Sequence, residues 1–560
     1  LRARVAEKQG ERALAVRELR WLCLNAVPSA EAQGADSRLA ELSSKSALTK
    51  QERFARAETL ARLGMISDVE RELELAGQAR GAAIRSADAL SIRASAYYAA
   101  RDYPPAAELF EQAARRGSNA PDRDWLYSAR AFSRANQDER ALQMYSSLPG
   151  RFPKSGLADE ALYLQARLRY IQGDSVGAER NYSRFLSRYG KSSPYARQAS
   201  YEQAVNQLVS SDYRAAAAAL HRLIQSEQNP RTSAGYSELY AVALLGMQER
   251  REAVLAFRRI MADRPLSFAS LASAARLRSL GESVPALIET KEDPMRPEVP
   301  LDPELPQKAE LYHRIGLDTD AEKSLRSEER QMVARYGARA SEALCRLYAK
   351  VRSGERRYWI GQLAARPEWL DRAPTSGTRW LWECVYPKPF EPLVREVESR
   401  HSLPADLAYA LIRQESSFRP GAVSDARAVG LMQLLPSTAR LVARELDQGY
   451  EPPWLLSPYY NIQFGTFYLG KLLSLFARNL ALAVAAYNAG PEVVSRWLKS
   501  GEQLPLDVFV AKIPYVETRE HVSRVLGNYA RYRYLEGGES EVIALDLELP
   551  HGLHPEPGVY

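Results

Sequence analysis

Apolar positions recur at intervals of three and four from residue 1 to about 290, and strand-like alternation is nearly absent. That periodicity predicts helix after helix, and the prevailing residues there (Ala, Leu, Arg and Glu) are mostly good helix formers. A repeat runs through the stretch. Asp102-Tyr103 leads to Ala106 and Phe110, Gln137-Asp138 to Ala141 and Tyr145, and Gly173-Asp174 to Ala178 and Tyr182. Asp212-Tyr213 leads to Ala216 and Leu220, and Gln248-Glu249 to Ala253 and Phe257. The small residues are 35, 37, 38 and 37 positions apart, the period of helix-turn-helix solenoid repeats. Alanine lets two helices approach closely, and the larger residue four positions on fills the groove of the neighbouring pair. These larger residues, aromatic in four of the five repeats, are therefore expected in the core. A solenoid of this kind offers a curved face that can bind a polymer or a protein; the residues do not choose between them.

The pattern breaks between Gly281 and Pro306, where Pro285, Pro294, Pro297, Pro300, Pro303 and Pro306 predict a linker or an extended crossing. A second helical stretch follows from Ala309 to Trp382, rich in aromatics and without recognisable chemistry. Pro387, Pro389 and Pro392 mark the next boundary. Beyond it the loops gain Gly, Pro, Asn and Ser, and polar residues gather near aromatics, the texture of a site carried on a rigid scaffold. The expected organisation is all-α in three parts. Residues 1–290 form a helical-repeat domain, 291–385 a linker with a second helical domain, and 386–560 a site-bearing helical domain with a C-terminal tail. That tail, acidic and then rich in Pro and His after Gly537, receives no function.

Composition narrows the chemistry. The 560 residues carry 76 Lys and Arg against 69 Asp and Glu, a net charge of +7 that is interleaved rather than blocked. No basic run of the kind that tracks a nucleic-acid backbone is present. No run of 18 apolar residues exists, so no membrane-spanning helix is expected. The sequence begins at Leu1 without an initiator methionine, which is read as a processed product whose export signal has been removed. Three cysteines (Cys23, Cys345 and Cys384) rule out a full disulfide framework and any CxxC site. Cys345 and Cys384 can pair in an oxidising compartment, but buried free thiols are the preferred reading. The six histidines are scattered, and HExxH, Walker, GxGxxG and GxSxG motifs are absent, so metal hydrolysis, nucleotide chemistry and serine-hydrolase chemistry lose support.

One stretch stands out. Pro404 suits a helical first turn, and Leu407, Leu411 and Glu415 then recur every four residues beside Ala408 and Ile412. Residues so spaced share a helix face. Glu415 thus ends an apolar stripe, where desolvation raises a carboxyl pKa and a glutamate kept protonated near neutral pH can serve as general acid. Asp425 and Asp447 are the nearby candidates for a second, hydrolytic carboxylate, and both read as loop or helix-end residues. Four motifs follow in order within about 110 residues: Arg413-Gln414-Glu415-Ser416; Gly430-Leu431-Met432-Gln433 with Pro436-Ser437-Thr438-Ala439; Ala486-Tyr487-Asn488-Ala489-Gly490-Pro491; and Ile513-Pro514-Tyr515-Val516-Glu517-Thr518-Arg519.

On these motifs residues 400–535 resemble the catalytic domain of the soluble lytic transglycosylases of the lysozyme-like superfamily. The whole chain resembles their large, ring-forming periplasmic members, upstream only by helical texture, repeat and length. The resemblance implies a helical-repeat superhelix or ring before a lysozyme-like α domain. It also implies cleavage of peptidoglycan between N-acetylmuramic acid and N-acetylglucosamine, with Glu415 as single acid and base and a 1,6-anhydromuramoyl end as product. It further implies that Ser424 contacts the N-acetyl group or peptide stem, and that Gln433 hydrogen-bonds sugar near the scissile bond. Tyr468 and Tyr487 would wall the cleft, with Tyr487 also hydrogen-bonded to Glu415, and Met432 would pack the floor. Asn488 and Glu517 are candidate substrate contacts; a helix-terminus hydrogen bond and a dipole-favoured first-turn acid are their plainer readings. Expected with these are peptidoglycan glycan strands and other cell-wall enzymes as partners, a monomer, a periplasmic location, and no cofactor, metal or nucleic acid. A lysozyme-type muramidase on the same scaffold, or a helical scaffold that binds glycan without cutting it, are the alternatives.

Overall fold

A computed structural model describes residues 2–42, 47–79, 85–290, 301–499, 501 and 503–553. Helices form nearly all of its regular structure; the β pairing among the described residues is two isolated bridges, Val423 with Val429 and Val429 with Leu434. The chain divides into two compact units, Leu1–Gln203 and Ala204–Tyr560. This division falls inside the helical-repeat stretch. Of the proline-rich segment, residues 291–300, with Pro294, Pro297 and Pro300, lie outside the described residues.

The repeat is present as expected. Ala106, Ala141, Ala178, Ala216 and Ala253 are all fully buried, as are Phe110, Tyr145, Tyr182, Leu220 and Phe257 four positions on. The structure adds a feature of the turn. Five residues before each alanine stands a residue in the left-handed region: Arg101, Asn136, Gly173, Ser211 and Gln248. Each closes the preceding helix with paired reverse bonds, such as Arg101 N–H to Tyr98 O and Asp102 N–H to Tyr97 O. This is the Schellman ending. The same signature reveals turns that the spacing had not disclosed. Gly10 precedes Ala15 and Leu19, Gly64 precedes Val69 and Leu73, and Gly316 precedes Ala321 and Leu325, again with positive φ and buried partners. Only half of these eight positions are glycine, although a left-handed L-residue costs roughly 1–2 kcal/mol. Fixed turn geometry, rather than glycine, is what recurs.

In the second unit one apolar core joins residues between Ala234 and Leu549, while Ala309, Leu325, Tyr348 and Cys384 belong to a separate cluster. The larger core takes in the repeat-type helices Pro230–Gly246, Arg250–Asp263 and Phe268–Ser279 together with the long helix Val516–Gly537. Polar ties reinforce this join. Arg531 donates to the Leu266 and Pro265 carbonyls at 2.8 and 2.9 Å, and Arg276 grips Asp507 through two bonds of 2.6 Å. The tail is structural: Val542, Leu545 and Leu549 are buried, and the Leu547 carbonyl accepts Leu506 N–H at 2.8 Å.

The preferred reading of Cys345 and Cys384 as free thiols is corrected. They form a disulfide with a Cα–Cα distance of 5.8 Å between the helices Ala340–Lys350 and Arg379–Val385. Cys23 remains a buried thiol, pushed up to about 11 by burial.

Beside Asp507 lies Glu238, fully buried, whose burial and whose neighbour Asp507 push its carboxyl well above the ordinary value of 4.5. It therefore keeps its proton in the folded chain and shares it with Asp507. A carboxyl whose folded pKa is raised adds stability below its unfolded pKa and loses it as pH rises. Glu238→Gln, which mimics the protonated form, is expected to gain thermal stability relative to the parent as pH moves from about 5 to 8. Melting curves at both pH values check this; a pH-independent difference would show that Glu238 ionises in the fold.

Candidate active site

Glu415 occupies the last turn of the helix Leu407–Ser416. Leu407, Ala408, Leu411 and Ile412 are buried as the stripe predicts. The helix begins later than the Pro404 signal suggests. Asp406 takes the left-handed conformation, and Glu398, from the preceding helix, accepts the N–H groups of Asp406 and Ala408 at 3.1 and 2.9 Å. Burial holds the Glu398 carboxyl up at about 7. At the other end Ser417 and Phe418 are both left-handed. Two such non-glycine residues in succession cost about 1–3 kcal/mol each. Phe418, fully buried with its ring 6.1 Å from Tyr358, anchors the turn. Arg413 fixes the helix laterally, donating to the Val385 carbonyl at 3.0 Å and to Asn528 Oδ1 at 2.7 Å.

The glutamate is buried enough to lose hydration and open enough to be reached: its side chain keeps 16% of its exposure. Burial first, and then the charge of Glu517, push its carboxyl up to about 8. At neutral pH it is an acid with a proton to give.

A tight loop follows. Gly430 N–H donates to the Ala422 carbonyl at 2.8 Å, and Val429 and Leu434 exchange N–H···O bonds of 2.9 and 3.1 Å. Gly430 has φ +84°, and a Cβ there would come within 2.3 Å of the Leu455 carbonyl; here glycine is required. Asn461, missed from sequence, organises the loop from the helix Pro458–Leu475. Its Oδ1 accepts Met432 N–H at 2.7 Å, and its Nδ2 donates to the Val429 and Leu455 carbonyls at 2.8 and 3.0 Å. Its local sequence does not set it apart, because the same helix also buries Gln463 and Thr466. Met432 is fully buried, as expected of a floor residue. Gly465 makes space for it, because a Cβ would stand 2.4 Å from the Met432 sulfur.

The expected site residues group around Glu415 to different degrees. Tyr487 and Tyr468 face each other with ring centroids 5.4 Å apart. Tyr487 lies within electrostatic reach of Glu415, and its hydroxyl is pushed well up by burial and that carboxyl. The expected Tyr487–Glu415 hydrogen bond is replaced: the hydroxyl donates to the Met432 carbonyl at 2.8 Å, tying the helix Leu480–Ala489 to the floor. Asn488 Oδ1 accepts from Thr518 Oγ1 at 2.5 Å, which brings its helix end against the first turn of Val516–Gly537. Glu517, in that turn, is exposed. Gln433, left-handed at φ +48°, donates its side-chain amide to the Gly430 and Ala422 carbonyls at 2.8 and 3.2 Å. Ser424 accepts Ala428 N–H at 3.0 Å and is held on the same loop, without a hydrogen bond to the other site residues among the described ones. Asp425 and Asp447 are exposed. Among the described residues no group of three or more His, Cys, Asp or Glu is placed to hold a metal.

His521 is the second residue that sequence reading missed. Buried on the Val516–Gly537 helix, it brings Nε2 to 3.5 Å from Glu415 Oε1. Its signal was positional, one helical turn after Glu517 in the fourth motif.

Residues 392–508 match the family described as Transglycosylase SLT domain, and residues 125–155 match a tetratricopeptide repeat. A Haemophilus influenzae protein described as a candidate soluble lytic murein transglycosylase is 43% identical over 196 residues, which cover 34% of this chain and 33% of that protein. The soluble lytic murein transglycosylase of Escherichia coli K12 is 35% identical over 192 residues, covering 33% and 30%. The matched stretches thus span about a third of these relatives. Two solved structures share the fold over 97% of this chain. The 70 kDa soluble lytic transglycosylase of Escherichia coli matches with TM-score 0.56 at 21% identity over 81% of its length. An inactive mutant of the lytic transglycosylase Slt from Pseudomonas aeruginosa matches with TM-score 0.55 at 20% identity over 82%.

Asn461→Ala would strand the Met432 N–H and the Leu455 carbonyl, while the Val429 carbonyl would keep the Leu434 N–H. Each buried group left without a partner costs about 1–3 kcal/mol, so a loss of roughly 2–5 kcal/mol is expected in denaturant unfolding of the variant. A loss under about 0.5 kcal/mol would mean that the loop holds itself.

Proposed function

We propose that this chain, similar to the large soluble lytic transglycosylases, is itself a lytic murein transglycosylase that cleaves the β-1,4 bond between N-acetylmuramic acid and N-acetylglucosamine in peptidoglycan. The observation that carries the reading is the state of Glu415: a mostly buried carboxyl, raised to about 8, inside a transglycosylase SLT match. Glycoside cleavage needs an acid on the leaving oxygen. Glu415 supplies that proton, and the ionised carboxylate then takes one from the C6 hydroxyl of the same muramoyl residue. The C6 oxygen closes on C1, leaving a 1,6-anhydro end and consuming no water. An internal nucleophile has a high effective concentration, which offsets the missing activated water.

The surroundings support this division of labour. A hydrolase places a second carboxylate to act as nucleophile or to activate water, yet Asp425 and Asp447 are exposed and make no ion pair with the site. Glu517, exposed, acts on Glu415 by its charge. Tyr468 and Tyr487 offer apolar ring faces to a sugar, Ser424 and Gln433 present polar groups from the loop, and Asn488 and Glu517 border the cleft at the last helix. The substrate-binding roles of these six residues belong to the proposal. So do the three-part organisation and action as a monomer on glycan strands. A periplasmic location is part of the same reading. The Cys345–Cys384 disulfide fits an oxidising compartment, and among the described residues no helix is long and apolar enough to cross a membrane.

Mass spectrometry of products from purified peptidoglycan tests the reaction. The expected fragments are lighter by one water than reducing-end fragments, and Glu415→Gln should lower their release by at least about 100-fold. Reducing ends would instead identify a hydrolase, and undiminished release by the variant would remove Glu415 from the chemistry. The pH profile adds a sign: because the free enzyme needs the protonated acid, activity should fall as pH rises through about 8.

A further inference from the structure

His521 Nε2 stands 3.5 Å from Glu415 Oε1. This nitrogen is buried and has no hydrogen-bond partner among the described residues. An orphaned polar atom in such a place carries a desolvation penalty unless it serves something. We propose that His521 is a positioning residue for the acid: in its Nδ1–H tautomer, Nε2 accepts a hydrogen bond from the protonated Glu415 carboxyl O–H and holds the carboxyl in one orientation. The inference rests on the reaction proposed above and assigns this group within it.

The charges around the pair favour this state. Burial, then Arg524, push the imidazole down to about 4, while burial and Glu517 push the carboxyl up to about 8. Between those values the acid is protonated and the ring neutral. The charge-separated alternative would desolvate two ions at once. Tyr487, from the Leu480–Ala489 helix, faces the carboxyl with its hydroxyl committed to Met432. Tyr468, from Pro458–Leu475, is held protonated by burial, at about 12. Arg413, on Glu415's own helix, is spent on Val385 and Asn528. Among the described residues no cation therefore competes with the imidazole for the carboxyl. A separation of 3.5 Å is longer than a strong hydrogen bond, and such contacts tighten when substrate is bound.

The proton account closes without His521 gaining or losing one. Glu415 gives its proton to the glycosidic oxygen, and the C6 hydroxyl returns one to Glu415. In between, the Nε2 lone pair faces a carboxylate oxygen. That repulsion favours reprotonation of Glu415, and hence closure of the C6 oxygen on C1.

The test compares pH profiles of peptidoglycan solubilisation for wild type, His521→Phe and His521→Gln. Phenylalanine keeps a ring but has no acceptor, whereas the glutamine carbonyl can accept the acid proton. The expected result for His521→Phe is a rate about ten-fold or more lower near neutral pH, with the alkaline limb moved down by about half a unit or more. His521→Gln should restore the limb to within a few tenths of wild type. Should His521→Phe not fold, His521→Met, which also lacks a strong acceptor, carries the same expectation. An unmoved or upward-moved limb in the acceptor-free variant, or equal losses in it and in His521→Gln, would overturn the assignment. Wild-type products distinguish this from failure of the proposed reaction: without anhydro ends the reaction is wrong, and with them an unmoved limb condemns only His521.

Discussion

Desolvation of one carboxyl is the constraint on which the rest of the site depends. Water would hold a glutamate ionised at neutral pH, and only removal from water, helped by a like charge, keeps it an acid. Glu415 meets both conditions, packed against its own helix's apolar face and in the field of Glu517. The neighbours that could undo this are committed elsewhere: Arg413 is bound to Asn528 and Val385, and His521 is itself buried and neutral.

That environment exists only because the backbone is held in costly places. The acid-bearing helix starts after a left-handed Asp406 capped by a buried Glu398, and it stops at left-handed Ser417 and Phe418. The floor beneath it is a loop pinned by one asparagine and two glycines. Strain of this kind persists where surrounding structure over-determines it, and the surroundings here are extensive. One apolar core continues from the repeat-type helices after Ala234 through the long final helix to the tail at Leu549. Arg276 and Arg531 bind across it.

The sequence made legible whatever follows a local period. Alanines 35 to 38 residues apart disclosed the repeat, and the four-residue stripe ending at Glu415 disclosed the acid. What the stripe disclosed is the burial of Glu415, not its role; both readings work because helix geometry converts spacing into a shared face. It did not disclose what depends on contacts between distant segments. Asn461 looked like an ordinary helix residue until the 429–432 loop lay across it. His521 gave only a positional sign, one helical turn after Glu517, until two helices far apart in sequence met. Tyr487 was expected to bond the acid, yet its hydroxyl donates to the Met432 carbonyl, invisible in any side-chain pattern. Pairing of Cys345 with Cys384 turned on whether two helices bring their Cα atoms within bridging distance, which composition cannot show. The turns at Gly10, Gly64 and Gly316 repeat the same backbone geometry, which side-chain spacing alone does not encode; after Gly64 the first buried partner is Val69 rather than a small residue.

The direct measurement is the titration of the Glu415 carboxyl itself, by carbon-13 NMR of glutamate-labelled protein with the Glu415→Gln variant used to assign the resonance. If burial holds the proton, that carbon titrates near about 8, well above the ordinary glutamate value of about 4.3. A midpoint below about 5 would mean that Glu415 is ionised at neutral pH, and a general-acid role for it would be contradicted.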